Sequence, residues 1–386
     1  MKRGLVWTLV IAICVALSAV AGGVLFVVRP ILYGDAAGPN PVRVDIPAGA
    51  SLTEIATKLE AARVVRFPFV FRRYAVFARF DRQVRPGEYE FVAGESYRRI
   101  LERLREGDIV QIKITFPEGL TCVEIADVLA RKLGTDRAAF LAATQDRELL
   151  RRHNIDSPTF EGYLFPETYF FPTKTTAQEV IETMLQRFFT AWTPEHEERA
   201  RAIGMTRGQV LTLASIIEGE ALLDSERPRI SAVYHNRLRK DMLLQADPTV
   251  LYALGGVRRR VFFRDLLVVS PYNTYVNRGL PPGPICNPGL LSIEAALSPA
   301  KSCEDIYFVA ANDGTGRHVF TRTLDQHEAA KRQADRNGAA RVAASAAATH
   351  GGEDLSPKAP PVPKDSKPAG AHPSPAPKHL APHTDD

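Results

Sequence analysis

The chain has 386 residues, of which 45% are hydrophobic and 24% charged, so it is long enough for two ordinary domains plus accessory segments. Its formal net charge of +5 is modest and suits an anionic envelope surface as well as a nucleic acid. Because no nucleic-acid motif such as a zinc finger or an aromatic-rich ribonucleoprotein box is present, we expect no nucleic-acid partner.

The N-terminus has the pattern of a membrane anchor. Lys2 and Arg3 precede an uncharged stretch from Gly4 to Val28, which is long enough to cross a bilayer as a helix. Positive charges before such a stretch keep the N-terminus in the cytoplasm and export the rest of the chain. A cleaved signal peptide is the competing interpretation, because Ala19-Val-Ala21 resembles a cleavage site. The apolar run continues past that site, which favours an uncleaved anchor.

We therefore assign residues 1–28 to a cytoplasmic N-terminus and a single-pass helix in the cytoplasmic (inner) membrane, with the following domains on its outer, periplasmic face. Residues 29–41 are rich in Pro and Gly and are predicted to be a linker.

A strand, a turn and a helix are predicted twice. Ile46-Pro-Ala-Gly-Ala-Ser51-Leu-Thr-Glu54 recurs as Phe116-Pro-Glu-Gly-Leu-Thr121-Cys-Val-Glu124. In each copy an alternating strand leads into a Pro/Gly turn, and Ser or Thr with Glu three residues later predicts a capped helix. The matching positions favour duplication of a small module over chance. The first copy resembles the opening of the LysM fold, which binds glycans containing N-acetylglucosamine, so we interpret residues 42–111 as a LysM-like α+β module.

Three elements are predicted between and after the two copies. Arg66–Arg79 is an aromatic and basic helix with a solvated or lipid-near face, Arg85–Phe91 is a strand, and Ser96–Gly107 is a helix closed by its glycine. Phe140–Arg152 is also predicted to be helical. The segment Phe160–Pro172 carries six aromatic residues and two acids. It suits either a sugar-binding wall or a turn that lines the core.

An apolar helix that contains two glutamates follows. Thr206 and Gln209 form a capping box, and the helix continues through Val210–Leu223. Glu218 shares a face with apolar residues, whereas Glu220 points to roughly the opposite side, so we expect Glu218 to be the more enclosed of the two. An apolar enclosure disfavours an ionised carboxylate, as a general acid near neutral pH requires. The alternative is a solvated or Arg-paired glutamate near a helix end.

The polar groups beyond this helix are typical of a carbohydrate groove. Asp224–Leu238 is predicted as a loop into a helix, and another helix follows Asp247, which we expect to be its N-cap. Val269–Gly289 is too rich in Pro and Gly for regular structure, and it offers amide, hydroxyl and aromatic groups.

The C-terminal third is predicted to end in a hairpin, a helix and a tail. Strands are expected at Ile306–Ala310 and Arg317–Phe320, and a last helix at Thr323–Asn337. Residues 338–386 are Pro-, Ala- and Lys-rich and are expected to be disordered. The fold class is therefore α+β, with a catalytic domain at residues 112–337 that opens with the second copy of the repeat.

Cysteines and histidines indicate neither a disulfide framework nor a metal site. Cys14 lies in the predicted span, and a bridge between Cys286 and Cys303 is the less favoured alternative to buried thiols. No H-E-x-x-H or similar spacing occurs, so we expect no metal and no cofactor.

Five motifs together resemble the membrane-anchored endolytic murein transglycosylases, the MltG or YceG-like family. The match runs in order from the anchor to about residue 336, and the motifs are Arg85-Pro-Gly-Glu-Tyr89, Glu161-Gly-Tyr-Leu-Phe-Pro166, Ala214-Ser-Ile-Ile-Glu218-Gly-Glu220, Leu244-Gln-Ala-Asp-Pro-Thr249, and Ser270-Pro-Tyr-Asn-Thr-Tyr275 with Gly279-Leu-Pro-Pro-Gly283. The chain departs from the family at Gly219, where Lys is common, and in its long tail.

The resemblance implies cleavage of nascent peptidoglycan strands between N-acetylmuramic acid (MurNAc) and N-acetylglucosamine (GlcNAc) without water, which leaves 1,6-anhydro-MurNAc ends and limits strand elongation. Glu218 matches the catalytic glutamate of the family. The resemblance also suggests work beside peptidoglycan synthases. The residues expected to bind the strand are Gln245, Asp247, Ser270, Asn273, Tyr275 and Glu161.

Two other functions remain open from the sequence. One is a lysozyme-type hydrolase that uses Glu218 with Asp247, because hydrolases usually need a second carboxylate. The other is a non-catalytic wall-binding scaffold that acts through the LysM-like module.

Overall fold

Helices predominate in the structure, a computed structural model that describes residues 2–34, 40–80, 84–256 and 259–350. Within these ranges, strands form three two-stranded antiparallel sheets. The predicted mixture of helices and short strands is confirmed.

The N-terminal apolar segment forms one helix, α1, at Lys2–Leu32. Its Trp7–Leu32 portion has a mean hydropathy of 2.7 and is long and apolar enough for a membrane span. The predicted start of the linker at residue 29 is wrong, because Ile31 extends the helix and packs against the core of the next module. Near the C-terminal end of α1, the Phe26 ring lies 4.7 Å from the Phe67 ring. Residues 35–39 of the predicted linker lie outside the described residues.

The first module contains two strands and three helices: β1 Pro41–Ile46, α2 Leu52–Ala61, α3 Pro68–Phe77, β2 Gly87–Val92 and α4 Tyr97–Glu106. β1 pairs antiparallel with β2, with Val44 opposite Tyr89. These elements enclose their own hydrophobic core. α4 ends at Gly107 in the left-handed region (φ 71°), as predicted.

The second copy of the repeat opens the larger domain: β3 Gln111–Thr115, α5 Cys122–Leu133, α6 Arg137–Ala143, α7 Arg147–Arg152 and β4 Thr168–Pro172. The duplication reaches the returning strand, because Tyr89 and Tyr169 occupy equivalent places. Each tyrosine hydroxyl donates over 2.6 Å to the carbonyl four residues earlier. The single helix expected at residues 140–152 is instead two helices, because the Asp146 carboxylate caps a new start.

The following helices surround a central one: α8 Ala177–Ala191, α9 Pro194–Ala202, α10 Arg207–Glu220, α11 Arg227–Arg239, α12 Asp247–Ala253 and α13 Leu290–Leu297. The central helix α10 touches α9, α11, α12 and α13. Residues 269–289 contain no helix or strand, as predicted.

The chain continues through a hairpin, β5 Tyr307–Ala310 with β6 His318–Thr321, into α14 Leu324–His350. The hairpin is confirmed. The predicted disorder is wrong for residues 338–350, which continue α14, because their many alanines favour helix. Residues 351–386 lie outside the described residues.

Candidate active site

The helix α10 carries Glu218 to the edge of the larger core. Its first turn is fixed by the predicted capping box, in which Thr206 and Gln209 exchange side chain to backbone hydrogen bonds of 2.8 and 3.2 Å. Residues 210–217 are then buried on every side of the helix. Glu218 is the first residue past this run, and its side chain is only 9% exposed. Glu218 is thus enclosed. The prediction that it is the more enclosed of the two glutamates is not confirmed, because Glu220 is also largely buried and burial raises its pKa to about 7.

The enclosure of Glu218 is polar, so the predicted apolar surroundings are wrong. Its Oε2 accepts hydrogen bonds from the Ser292 hydroxyl at 2.9 Å and from the Gly289 N–H at 3.1 Å. Arg227 lies 3.2 Å from the same oxygen and 3.3 Å from Oε1. The donors come from the first turns of α11 and α13, which meet the end of α10 and fix the direction of the carboxyl group. The Arg-paired alternative therefore describes the contacts, and it does not by itself decide the role.

A second carboxyl group, Glu118, lies beside Glu218. It belongs to the turn before α5 and rests against Gly289, where its Cδ lies 1.9 Å from the place that a Cβ would take. Burial and the Glu218 carboxylate raise the pKa of Glu118. Sequence reasoning missed this residue. The signal that could have found it is a difference between the two repeats, since Ala48 stands at the matching position of the first copy.

Asn287 fastens the turn of Glu118 to the loop before α13. Its backbone accepts from Gly119 N–H at 2.8 Å and donates to the carbonyl of Leu120 at 2.9 Å. The side-chain oxygen of Asn287 accepts two further backbone N–H groups at 2.9 Å, from Gly162 and Leu164. Asn287 is 1% exposed. One buried amide thus holds three segments in register.

Glu161 lies behind this turn, not on an open groove. It is 4% exposed and accepts the backbone N–H of Cys122 and the amide of Asn287, both at 3.0 Å. Burial raises its pKa to about 8. Its direct role in binding a glycan stays a prediction, but its contacts are those of an internal brace.

The aromatic segment at residues 160–172 lines the core, so its alternative as a sugar-binding wall is wrong. Its rings pack together inside the larger core, with Tyr169 and Phe171 stacked at 5.6 Å. Phe170 is the aromatic side chain here that faces solvent. The buried members are Phe160, Tyr163, Phe165, Tyr169 and Phe171.

Glu220 faces the opposite side of α10, as predicted, and meets three of the predicted binding residues there. Glu220, Gln245, Asp247 and Tyr275 line one open cavity of about 1050 Å³, which residues of α14 also line. The Tyr275 hydroxyl donates to Asp247 at 2.5 Å. Burial raises the pKa of Glu220, and the Asp247 carboxylate raises it further. The Tyr234 hydroxyl lowers it by donating a hydrogen bond of 3.0 Å, and the resulting pKa is about 7.

Asp247 is not the N-cap of α12. Ala246 occupies that position, and Asp247 is the first residue of the helix and is exposed. Pro248 follows it and lies against Gly219, between the two glutamates of α10. Asp247 therefore accompanies Glu220, and among the described residues no hydrogen bond joins it to Glu218.

Ser270 and Asn273 shape the irregular loop from within. Asn273 is fully buried, donates to the carbonyls of Leu266 and Val268 at 2.9 Å, and accepts the N–H of Tyr275 at 3.0 Å. Ser270 accepts the N–H of Tyr272 at 3.2 Å. These contacts present Tyr275 to the cavity.

The remaining predictions concern metal ligands and cysteines. Among the described residues, His, Cys, Asp and Glu form no cluster of three that could hold an ion. The less favoured Cys286–Cys303 bridge is not formed; the Cys286 thiol donates to the carbonyl of Ser215, and the Cys303 thiol to Asp305, each at 3.4 Å.

Known proteins with similar sequences were found over most of the chain. Residues 44–333 match the YceG-like family. A Bacillus subtilis protein named endolytic murein transglycosylase is 34% identical over 307 residues, which cover 75% of this chain and 84% of the relative. A Streptococcus pneumoniae D39 protein of the same name is 30% identical over 338 residues, and these cover 79% of this chain but only 60% of that longer relative.

A solved structure is also similar. A crystal structure of a YceG-like protein from Listeria monocytogenes superposes on this chain with a TM-score of 0.53 at 36% identity. The match covers 75% of this chain and 99% of the Listeria chain.

Proposed function

Because this chain belongs to the YceG-like family, we propose that it is a peptidoglycan lytic transglycosylase that cuts glycan strands internally. The observation that carries the proposal is the carboxyl group of Glu218, held in one orientation by Ser292, Gly289 and Arg227 at the end of α10. Two curated relatives that cover three quarters or more of this chain bear the name endolytic murein transglycosylase, which supports the same reaction class.

A single glutamate suffices for this reaction, because the substrate supplies its own nucleophiles. Glu218 protonates the oxygen that leaves as the bond from C1 of MurNAc to O4 of GlcNAc breaks, while the acetamido oxygen of MurNAc displaces it. The C6 hydroxyl then attacks C1, the bond from C1 to the acetamido oxygen breaks and restores the acetamide, and Glu218, now a carboxylate, takes the hydroxyl proton. The product is a 1,6-anhydro-MurNAc end, and each such cut ends elongation of a nascent strand.

The remaining parts of the chain fit an enzyme that works at a membrane. We place α1 in the cytoplasmic membrane with the N-terminus inside, and the catalytic domain on the outer, periplasmic face, beside peptidoglycan synthases. The first module, with two helices between antiparallel strands, is proposed as a LysM-like glycan-binding unit. Gln245, Asp247 and Tyr275 are proposed to bind the strand in the cavity beside Glu220, on the opposite side of α10 from Glu218. Ser270 and Asn273 are proposed to support the loop that carries Tyr275, and Glu161 to brace the turn that carries Glu118.

Digestion of uncrosslinked glycan strands with the wild type and Glu218→Gln tests this function. We expect the wild type to yield anhydro ends by mass spectrometry and Glu218→Gln to yield none. If Glu218→Gln still cleaved the strands, the mechanism would be wrong. If the wild type bound strands without cutting them, the protein would be a wall-binding scaffold instead of an enzyme.

Hydrolysis is a second candidate, because a second carboxyl, Glu118, lies at the site. Reducing MurNAc ends in the same digest, two hydrogens and one oxygen heavier than the anhydro form, would identify a hydrolase.

A further inference from the structure

The same turn occurs twice in the chain, and only the second copy carries a carboxyl group. The first turn contains Ala48 and Gly49, and the second contains Glu118 and Gly119. The two glycines have nearly equal left-handed φ angles of 72° and 78°. Because the first copy makes this turn with Ala48, the turn itself does not require the carboxyl of Glu118.

The second turn is fixed where it meets Glu218. The two backbone hydrogen bonds between Asn287 and the Gly119–Leu120 pair attach it to the loop before α13. The position of a Cβ on Gly119 would lie 3.5 Å from the Cγ of Glu218. On the other side, Gly289 touches the Glu118 carboxyl and donates its N–H to Glu218. The two carboxyl groups therefore share one glycine neighbour.

The two carboxyl groups differ in their partners. Glu218 is held by Arg227 and two further donors, whereas the Glu118 carboxyl receives no hydrogen bond or ion pair from a described residue and is only partly buried. The charged groups that face Glu118 are Glu218 on α10, Arg227 on α11 and Asp224 before it. Burial and the carboxylates of Glu218 and Asp224 outweigh the guanidinium and raise the pKa of Glu118.

We propose that Glu118 is a second catalytic residue, the base that takes the proton of the MurNAc C6 hydroxyl after Glu218 has protonated the leaving oxygen. This inference rests on the proposed transglycosylase function and replaces only the second task of Glu218. The C1–O4 bond breaks and O4 keeps the electron pair and gains the Glu218 proton. The C1–O6 bond forms and the O6 proton moves to Glu118. That proton then returns to Glu218, directly or through water, so that no water is consumed and both groups are restored.

Three variants test the role of Glu118. Glu118→Gln removes the base at nearly constant size, and Glu118→Ala installs the residue that the first turn already has. Both are expected to lower kcat by about 10²-fold, with little change in KM, and to keep the wild-type Tm. Gly289→Ala suits the backbone there (φ −76°), but its Cβ would displace the Glu118 carboxyl, so kcat should fall although Glu118 is still present.

The pH dependence separates a base from a structural group. In the wild type, kcat should fall as the pH drops through the raised pKa of Glu118, because the base must be ionised. Glu118→Gln should lack this acid limb. Glu118→Asp, which keeps a carboxyl, should regain part of the rate and the limb.

Each outcome decides one claim. A Glu118→Gln enzyme with wild-type kcat and acid limb, or equal losses in the Gln and Asp variants, would overturn the role of Glu118. Inactive Glu218→Gln alongside that result would leave the proposed function standing. Reducing ends made by the wild type would instead overturn the transglycosylase reaction itself.

Discussion

Glu218 and Glu220 lie two positions apart on α10, yet their surroundings share none of the contacts described above. Glu218 meets Ser292, Gly289 and Arg227, and Glu220 meets the hydroxyl of Tyr234. The direction of each side chain follows from helical periodicity and could be predicted from the sequence. The donors around Glu218 could not be predicted, because they lie more than seventy positions away in two of the three cases and depend on how α10 packs on α13.

Substitution of each glutamate by glutamine should separate them. Glu218→Gln is expected to lose cleavage by about 10³-fold or more, because no proton can be donated to the leaving oxygen. Glu220→Gln keeps an acceptor for the Tyr234 hydroxyl and should lose at most about tenfold. Initial rates on uncrosslinked strands measure both. The reverse order of losses would move the catalytic role to Glu220.

Glu161 should make the stability of the fold depend on pH. Its carboxyl ionises near its ordinary value in the unfolded chain but at about 8 in the folded protein, so the folded state keeps a proton that the unfolded state loses. Stability is therefore fully present at acid pH and falls as the pH rises toward 8. Glu220, whose pKa is about 7, also makes stability fall as the pH rises, over a narrower pH range.

The contribution of Glu161 is measured as a difference between two proteins. The wild-type Tm should fall by roughly 5 °C between pH 5 and pH 8, and Glu161→Gln, which stays neutral, should show a clearly flatter profile. Parallel profiles would mean that Glu161 does not carry the proton.

At the scale of elements, local sequence signals were the most dependable. Both repeats form the predicted strand, turn and capped helix, because a capping box needs contacts across only three residues. Predictions that needed the tertiary structure were wrong. From the sequence alone, the aromatic residues at 160–172 fit a groove as well as a core. Only their packing inside the larger core shows that they are core residues. Asp247 looked like a cap, but α12 begins one residue earlier.

The two caps of the repeats provide a matched pair of variants. Ser51→Ala and Thr121→Ala each remove one side-chain acceptor and should each cost about 1 kcal/mol in urea unfolding. Thr121 directly follows the turn that holds Glu118, so only its variant should also lower the cleavage rate. An equal loss of activity in Ser51→Ala would show that the first module takes part in the chemistry.

At the scale of the whole molecule, the order of segments was predictable from composition, whereas their ends were not. The apolar N-terminus, the two repeats and the helix-rich larger domain follow from hydropathy and turn signals. The helix α1 continues through Pro30 to Leu32, because its last turn packs on the first module. The helix α14 continues to His350, because alanine favours a helix. The site joins residues from 118 to 292, and no local pattern brings them together.

The anchor predicts the size and the extraction behaviour of the mature protein. With the continuous helix Lys2–Leu32 across the bilayer as proposed, the full-length chain should stay in the membrane fraction and resist alkaline extraction. Intact mass should include the first residues. A product that lacks residues 1–21 would show a cleaved signal peptide instead.

The packing of α1 on the first module limits how far the catalytic domain can travel. Phe26 lies on Phe67, and Gly34 fits against the backbone of Gly94, where any side chain would collide. With α1 in the bilayer as proposed, the first module stays at the lipid surface, and the site works only within reach of that module. A strand is then open to cutting only while it is still close to the membrane, and growth of the wall carries it out of range. The distance of a strand from the membrane, and so the time since its synthesis, would then determine whether it can still be cut.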